Sequence, residues 1–158
     1  MPTAEILLKI QSELHCGKDK YNTFGGFAYR TAEGILAATK PLCQKHGALL
    51  TLSDDLLEIG GKIFLKSTAS ISALEADAET LSSTGYAMHE KEPKAKMCEP
   101  QATGSASSFA RKYALCALFC IADPADDPDG REVPQQPAIP PQYQNNKAGA
   151  IPPPPPKK

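Results

Sequence analysis

Residues 48–74 constrain the fold more than any other stretch of the chain. The pieces ALLTLS, LLEI and KIFLKSTASISAL alternate with a period of two, and Gly60-Gly61 separates the last two of them. That period belongs to strands lying on a core, and a glycine pair supplies the positive φ that a two-residue hairpin needs. The pattern predicts three strands in an antiparallel meander, with Asp54-Asp55 as the turn between the first two. In the third piece Ile63, Leu65, Ala69, Ile71 and Ala73 share one face, the core side. Lys62, Phe64, Lys66, Thr68, Ser70 and Ser72 share the other, which reads as wet and weakly basic. A Ser-rich extended segment from Thr80 to His89 is a further candidate for pairing with them.

Around this sheet the period is helical. Ile6, Leu7, Ile10 and Leu14 give a helix from Thr3, its expected N-cap, to about Cys16, where Gly17 stops it. GKDKYNTFGGFAYR follows as a loop or short extended stretch. Thr31 caps a second helix that runs to about His46, with Gly47 as its stop and Pro41 as a kink or break. After the charged loop HEKEPKAKMCEP, the run QATGSASSFARKYALCALFCIAD is the most regular helix. Ala106, Ala110, Tyr113, Ala114, Ala117, Leu118 and Cys120 make its packing face, small enough to approach a sheet closely. Ser105, Ser108, Arg111 and Lys112 form its polar side, and the serines after Gly104 read as capping residues. The fold class is therefore α+β, an antiparallel β-meander packed with helices. Ten of the fifteen prolines lie from Pro128 onward, so the domain is expected to occupy residues 1–127 and a disordered Pro-rich tail residues 128–158.

Several function classes fall away. No apolar run approaches the roughly 18 residues needed to cross a bilayer, and the start lacks a basic region ahead of its Leu/Ile segment, which predicts a soluble cytoplasmic protein without membrane contact. Five cysteines with no Cys-x-x-Cys pair suit reduced thiols, and Cys116 and Cys120 read as core residues, not metal ligands. His15, His46 and His89 lie at no recognisable spacing from carboxylates, and GSAS is no nucleophile elbow, so no catalytic residue is expected. The run DPADDPDG loses two obligatory ligands of a calcium loop in its best register, and GGFAYR lacks the Walker spacing. No metal, nucleotide or other cofactor is expected.

What persists is basic residues interleaved with aromatics: Lys18, Lys20, Tyr21, Phe24, Phe27, Tyr29 and Arg30 within a short stretch. Cations neutralise phosphates and aromatic faces stack on any base, the combination that binds single strands without sequence preference. The aromatics serve equally well as core anchors for a loop. Lys62 and Lys66 on the wet strand face, and Arg111 with Lys112 on the last helix, are further candidates; Lys91, Lys94 and Lys96 read as a soluble loop. Against this stands a formal net charge of -1, so any cationic site must arise from local segregation of charge.

In order, FGGFAYRTAEGILAATKPLCQKHG, LSDDLLEIGGKIFLKSTASI and QATGSASSFARKYALCALFCIADPADDPD resemble the segments that define the Erf (essential recombination function) family of phage annealing proteins. The helix with Gly104, Ser105, Ala110, Arg111, Tyr113 and Ala114, followed by the acids from Asp123 to Asp129, is the most specific part, and the likeness spans roughly residues 5–129. The resemblance implies a β-β-β-α core similar to the Rad-type annealing proteins and the lambda beta protein. It also implies ATP-independent binding and annealing of single-stranded DNA in recombination, assembly as a homo-oligomeric ring or filament, and host single-strand binding protein as a partner. Lys18, Lys20, Arg30, Lys62, Lys66, Arg111 and Lys112 are then the expected DNA contacts, with Tyr21 and Tyr29 touching base or sugar. The alternatives are a coating protein that binds strands without joining them, a metal-dependent nuclease using the acidic run, and a scaffold whose tail recruits a partner.

Overall fold

The computed structural model describes residues 1–18, 20–23, 26–89 and 98–122, Phe27 through its backbone alone. Phe24, the lysines of the 90–97 loop, the acidic run, the domain edge expected at Asp127 and the Pro-rich tail lie outside the described residues.

Gly60 and Gly61 take φ of 60° and 76°, the left-handed backbone that a tight hairpin requires and that costs glycine little. They join β3 (Ala48–Ile59) to β4 (Lys62–Ala73), which pair antiparallel without interruption from Ala48↔Ala73 to Ile59↔Lys62. β5 (Thr80–His89) pairs with the other side of β4, giving a three-stranded sheet in the order β3-β4-β5. The Ser-rich segment is therefore the third strand, and the turn expected at Asp54-Asp55 does not exist. Both aspartates are ladder residues, opposite Ser67 and Lys66. Asp55 stays in the strand as half of an opposite-charge cross-strand pair, and Asp54 because hydrogen-bond donors converge on its carboxylate.

One face of the sheet is covered. Leu65, Ser67, Ala69, Ile71 and Ala73 of β4 are buried beneath the helices, so the core face includes a serine that hydrophobicity alone does not mark. Alternation places Lys62, Phe64, Lys66, Thr68, Ser70 and Ser72 on the opposite face, with Leu57 and Ile59 of β3 and Tyr86 and Met88 of β5. That face is less wet than expected, because Ile59 and Met88 stand about half exposed on it.

α1 (Thr3–Glu13) and α2 (Ala32–His46) supply Ile6, Ile10, Ile35 and Cys43 to the main core, against Ala69 and Ile71 of the sheet and Ala114, Leu115 and Leu118 of α3 (Glu99–Leu118). Thr3 is not the N-cap, a position Pro2 takes. It is buried, its hydroxyl donating to the Glu79 carbonyl at 2.6 Å and accepting from the Ala73 amide at 3.1 Å, which ties α1 to the β4–β5 connection. α1 ends at Glu13, short of Cys16, whose carbonyl accepts from Arg30 Nε at 3.2 Å. Thr31 caps α2 as its sequence position predicts, accepting from the Gly34 amide at 3.0 Å, and Gly47 closes it at φ 68°. The helix runs through Pro41, whose ring and the Ala37 carbonyl it leaves unbonded are both on the exposed side.

α3 begins earlier than its serines suggest. The Cys98 amide donates to Gln101 Oε1 at 3.1 Å, so Ser105, Ser107 and Ser108 lie inside the helix and cap nothing. Ala106, Ala110, Ala114 and Leu118 face inward as expected, joined by Leu115 and Phe119, whereas Tyr113, Ala117 and Cys120 are exposed. Between Glu13 and α2 lies a short ribbon, β1 (Lys20–Asn22) paired with β2 (Phe27–Tyr29), where a loop or extended stretch is predicted.

Candidate nucleic-acid interface

Tyr29 and Arg30, just ahead of the Thr31 cap of α2, line a cleft. Tyr29, Arg30, Thr31, Ala32 and Glu33, at the entry to α2, form one wall. Ser108, Phe109 and Lys112 of α3 form the other, around roughly 430 Å³ of open space. The hydrogen bond from Arg30 Nε to the Cys16 carbonyl fixes the guanidinium plane, since a bond through Nε leaves little rotation about the side chain. Lys112 Nζ stands 4.8 Å from the centre of the Phe109 ring and 5.0 Å from that of Tyr113, within cation–π range of both. The two rings are 6.2 Å apart and about half exposed.

The ribbon adds to this side of the molecule. Lys20 lies across from Tyr29 in its ladder, whereas Tyr21 is opposite Ala28 on the other face, 63% exposed. Lys18 is half-buried just ahead of β1. Three of the expected contacts, Tyr29, Arg30 and Lys112, therefore line a single cleft. Lys62 and Lys66 do not join them, because they project from the sheet face opposite the one α3 covers.

Arg111 is engaged elsewhere. Its Nη2 lies 2.8 Å from Asp54 Oδ2, and its Nε donates to the same carboxylate at 3.0 Å, a two-pronged pairing. Ser67 and Ser107 also donate to Asp54, at 2.5 Å and 2.7 Å. Partial burial works to raise the Asp54 pKa, but the bonds from Arg111, Ser67 and Ser107 together outweigh it and hold the carboxyl below its ordinary value. Arg111 thus anchors α3 to β3 while remaining 44% exposed. A similar but more open link joins α1 to α2, where Glu13 accepts from Lys45 at 2.8 Å and lies 3.2 Å from His46 Nε2, so His46 does meet a carboxylate.

Asp54, Glu33 and Phe109 are the site residues that sequence reasoning leaves out. Phe109 was detectable: with Lys112 and Tyr113 it stands at i, i+3 and i+4 of one helix, the spacing at which side chains meet. Glu33 and Asp54 carry no such local signal, since their surroundings come from α3. Among the described residues no group of three or more His, Cys, Asp or Glu is placed to hold a metal ion, and no helix is long and apolar enough to cross a membrane.

The described residues form an α+β domain, a helix-backed antiparallel meander with a cleft lined by cations and aromatic rings. Its family follows from comparison with known proteins: the chain belongs to the ERF superfamily, whose model matches residues 3–150. It is also 39% identical over 146 residues to the Essential recombination function protein of Salmonella phage P22, an alignment that covers 92% of this chain and 68% of that relative. The family match continues past residue 129, where the resemblance in motifs ends.

Proposed function

We propose that this chain binds single-stranded DNA and anneals complementary strands during phage-type homologous recombination, without a nucleotide cofactor and without breaking a covalent bond. The recombination role rests on family membership and on the phage P22 relative. The strand-binding role rests on one observation, the cleft that gathers Arg30, Lys112, Tyr29 and Phe109 from two distant parts of the chain. Fixed cations suit phosphate, and exposed rings suit bases of any identity.

Annealing asks for a strand held mainly by its backbone, so that most bases stay free to pair. Arg30 and Lys112 are assigned to phosphates passing the cleft, Lys18 and Lys20 to phosphates beyond it, and Tyr21 and Tyr29 to base or sugar. Lys62 and Lys66 form a separate basic group, and Arg111 contributes mainly by holding α3 in place. The order β3-β4-β5-α3 is the β-β-β-α order that the resemblance implies and supports a reading in which copies of the chain assemble into a ring or filament; host single-strand binding protein is the proposed partner in the cell.

The test is duplex formation between complementary oligonucleotides, one carrying a fluorophore and the other a quencher. Faster pairing in the presence of the protein is the expected result. Inhibited pairing would instead mark a coating protein, and cleavage on adding magnesium or manganese would mark a nuclease.

A further inference from the structure

Two cations make the cleft attractive to a phosphate, yet Glu33 lines the same space and would repel one. Glu33 is exposed in the first turn of α2, and among the described residues its carboxylate has no hydrogen-bond or ion-pair partner, although Arg30 and Lys112 line the cleft with it. The remaining walls are largely apolar, from Tyr29, Ala32 and Phe109. Aromatic walls lined also by an acceptor and two cations are the complement of a nucleobase with its flanking phosphates.

We propose that the cleft takes one base of the bound strand, and that Glu33 makes it select bases carrying an exocyclic amino group. This rests on the strand-binding reading above and gives that site a ligand chemistry. A carboxylate only accepts hydrogen bonds, so its partner must donate. Cytosine and adenine each present an amino group, and guanine presents an amino group beside a ring N–H. Thymine offers a single ring N–H between two carbonyl oxygens, whose lone pairs face the carboxylate and oppose it. One selected base per protomer leaves the neighbouring bases free to pair, so the preference sets where a protomer sits on the strand without sequestering it.

The experiment measures fluorescence anisotropy of the full chain with labelled oligo-dC, oligo-dA and oligo-dT of equal length, and with an oligomer of 2-pyrimidinone deoxyriboside, which is cytosine without its amino group. Binding to dC and dA is expected to be about tenfold tighter than to dT, as one well-placed hydrogen-bonding contact to a base permits. The 2-pyrimidinone oligomer is expected to behave like dT, and Glu33→Gln, whose amide can donate as well as accept, to bring dC and dT within about twofold of each other. Equal affinity of the unaltered chain for all four oligomers overturns the selection and leaves strand binding standing, as does a dC preference that survives Glu33→Gln. No binding to any oligomer overturns the strand-binding reading, and this inference with it. The 2-pyrimidinone comparison uses the unaltered protein and decides the matter even should the variant fold poorly.

Discussion

Asp54 links three elements through one carboxylate. Ser67 is fully buried, so its hydroxyl depends on Asp54 as its acceptor, and Ser107 and Arg111 bring α3 to the same point. Removing a partner from a buried donor costs about 1–3 kcal/mol, more than the bond itself contributes net, so Asp54→Ala should destabilise the domain by about 2 kcal/mol in urea unfolding. The pH dependence has a definite sign. A carboxyl whose folded pKa lies below its unfolded value stabilises the fold above the ordinary carboxylate range and loses that contribution as pH falls through the folded value. Asp54 is such a group, and so is Glu13, lowered by its bonds from Lys45 and His46. Melting temperature should therefore hold level near neutrality and fall on the acid side, from about pH 4 downward. Asp54→Asn should melt lower at neutral pH and show a shallower acid decline, because its amide has no charge to lose. An acid decline as steep as that of the unaltered chain would remove Asp54 from this role.

At the scale of elements, the contact between α3 and β5 depends on Gly85. It is buried, and a Cβ there would fall inside contact distance of the Ala110 carbonyl oxygen and the Ala114 amide, both backbone atoms, and 2.8 Å from the Tyr113 Cβ. Backbone cannot rotate aside, so Gly85→Ala must push the helix off the strand. The loss should be about 3 kcal/mol in urea unfolding, at the upper end of overpacking, whereas Gly104→Ala, inside the same helix where a Cβ meets nothing within 4 Å, should stabilise by about 0.5–1 kcal/mol. The small-residue face of α3 was legible from Ala106, Ala110 and Ala114, and so was the hairpin at Gly60-Gly61, because both signals are local. Gly85 was not, since its partners lie 25 and more residues away. The same reason accounts for Asp54-Asp55, read as a turn: adjacent aspartates favour turns unless distant donors claim them, and Ser107 and Arg111 are 53 and 57 residues further on. In the candidate site Arg30 was legible as a cation beside aromatics and Lys112 as one on the polar side of α3, but not that they share a cleft from which Lys62 and Lys66 are apart.

For the molecule as a whole, charge is the deciding property. A chain with 17 basic and 18 acidic residues has no net field to draw in a polyanion, so binding has to come from a few placed cations. Each phosphate neutralised releases condensed counterions, and for single strands the slope of log affinity against log salt is about -0.7 per contact. Binding through Lys18, Lys20, Arg30 and Lys112 alone should then give a slope of about -2.8 per protomer, whereas adding Lys62 and Lys66 to the same strand would bring it to about -4. Substituting Arg30 and Lys112 together by alanine should make the slope shallower by about 1.4 and weaken binding at every salt concentration. The Lys62 and Lys66 double alanine variant should leave it within about 0.3 of the starting value if those side chains serve another surface, and shift it by the same 1.4 if assembly brings them to the strand. Anisotropy titrations across a salt series, with circular dichroism to verify that each variant is folded, separate these outcomes. A slope that does not move in the Arg30/Lys112 variant means that the cleft does not hold phosphate, because the counterion count responds to contacts made with the strand and not to the stability of the protein making them.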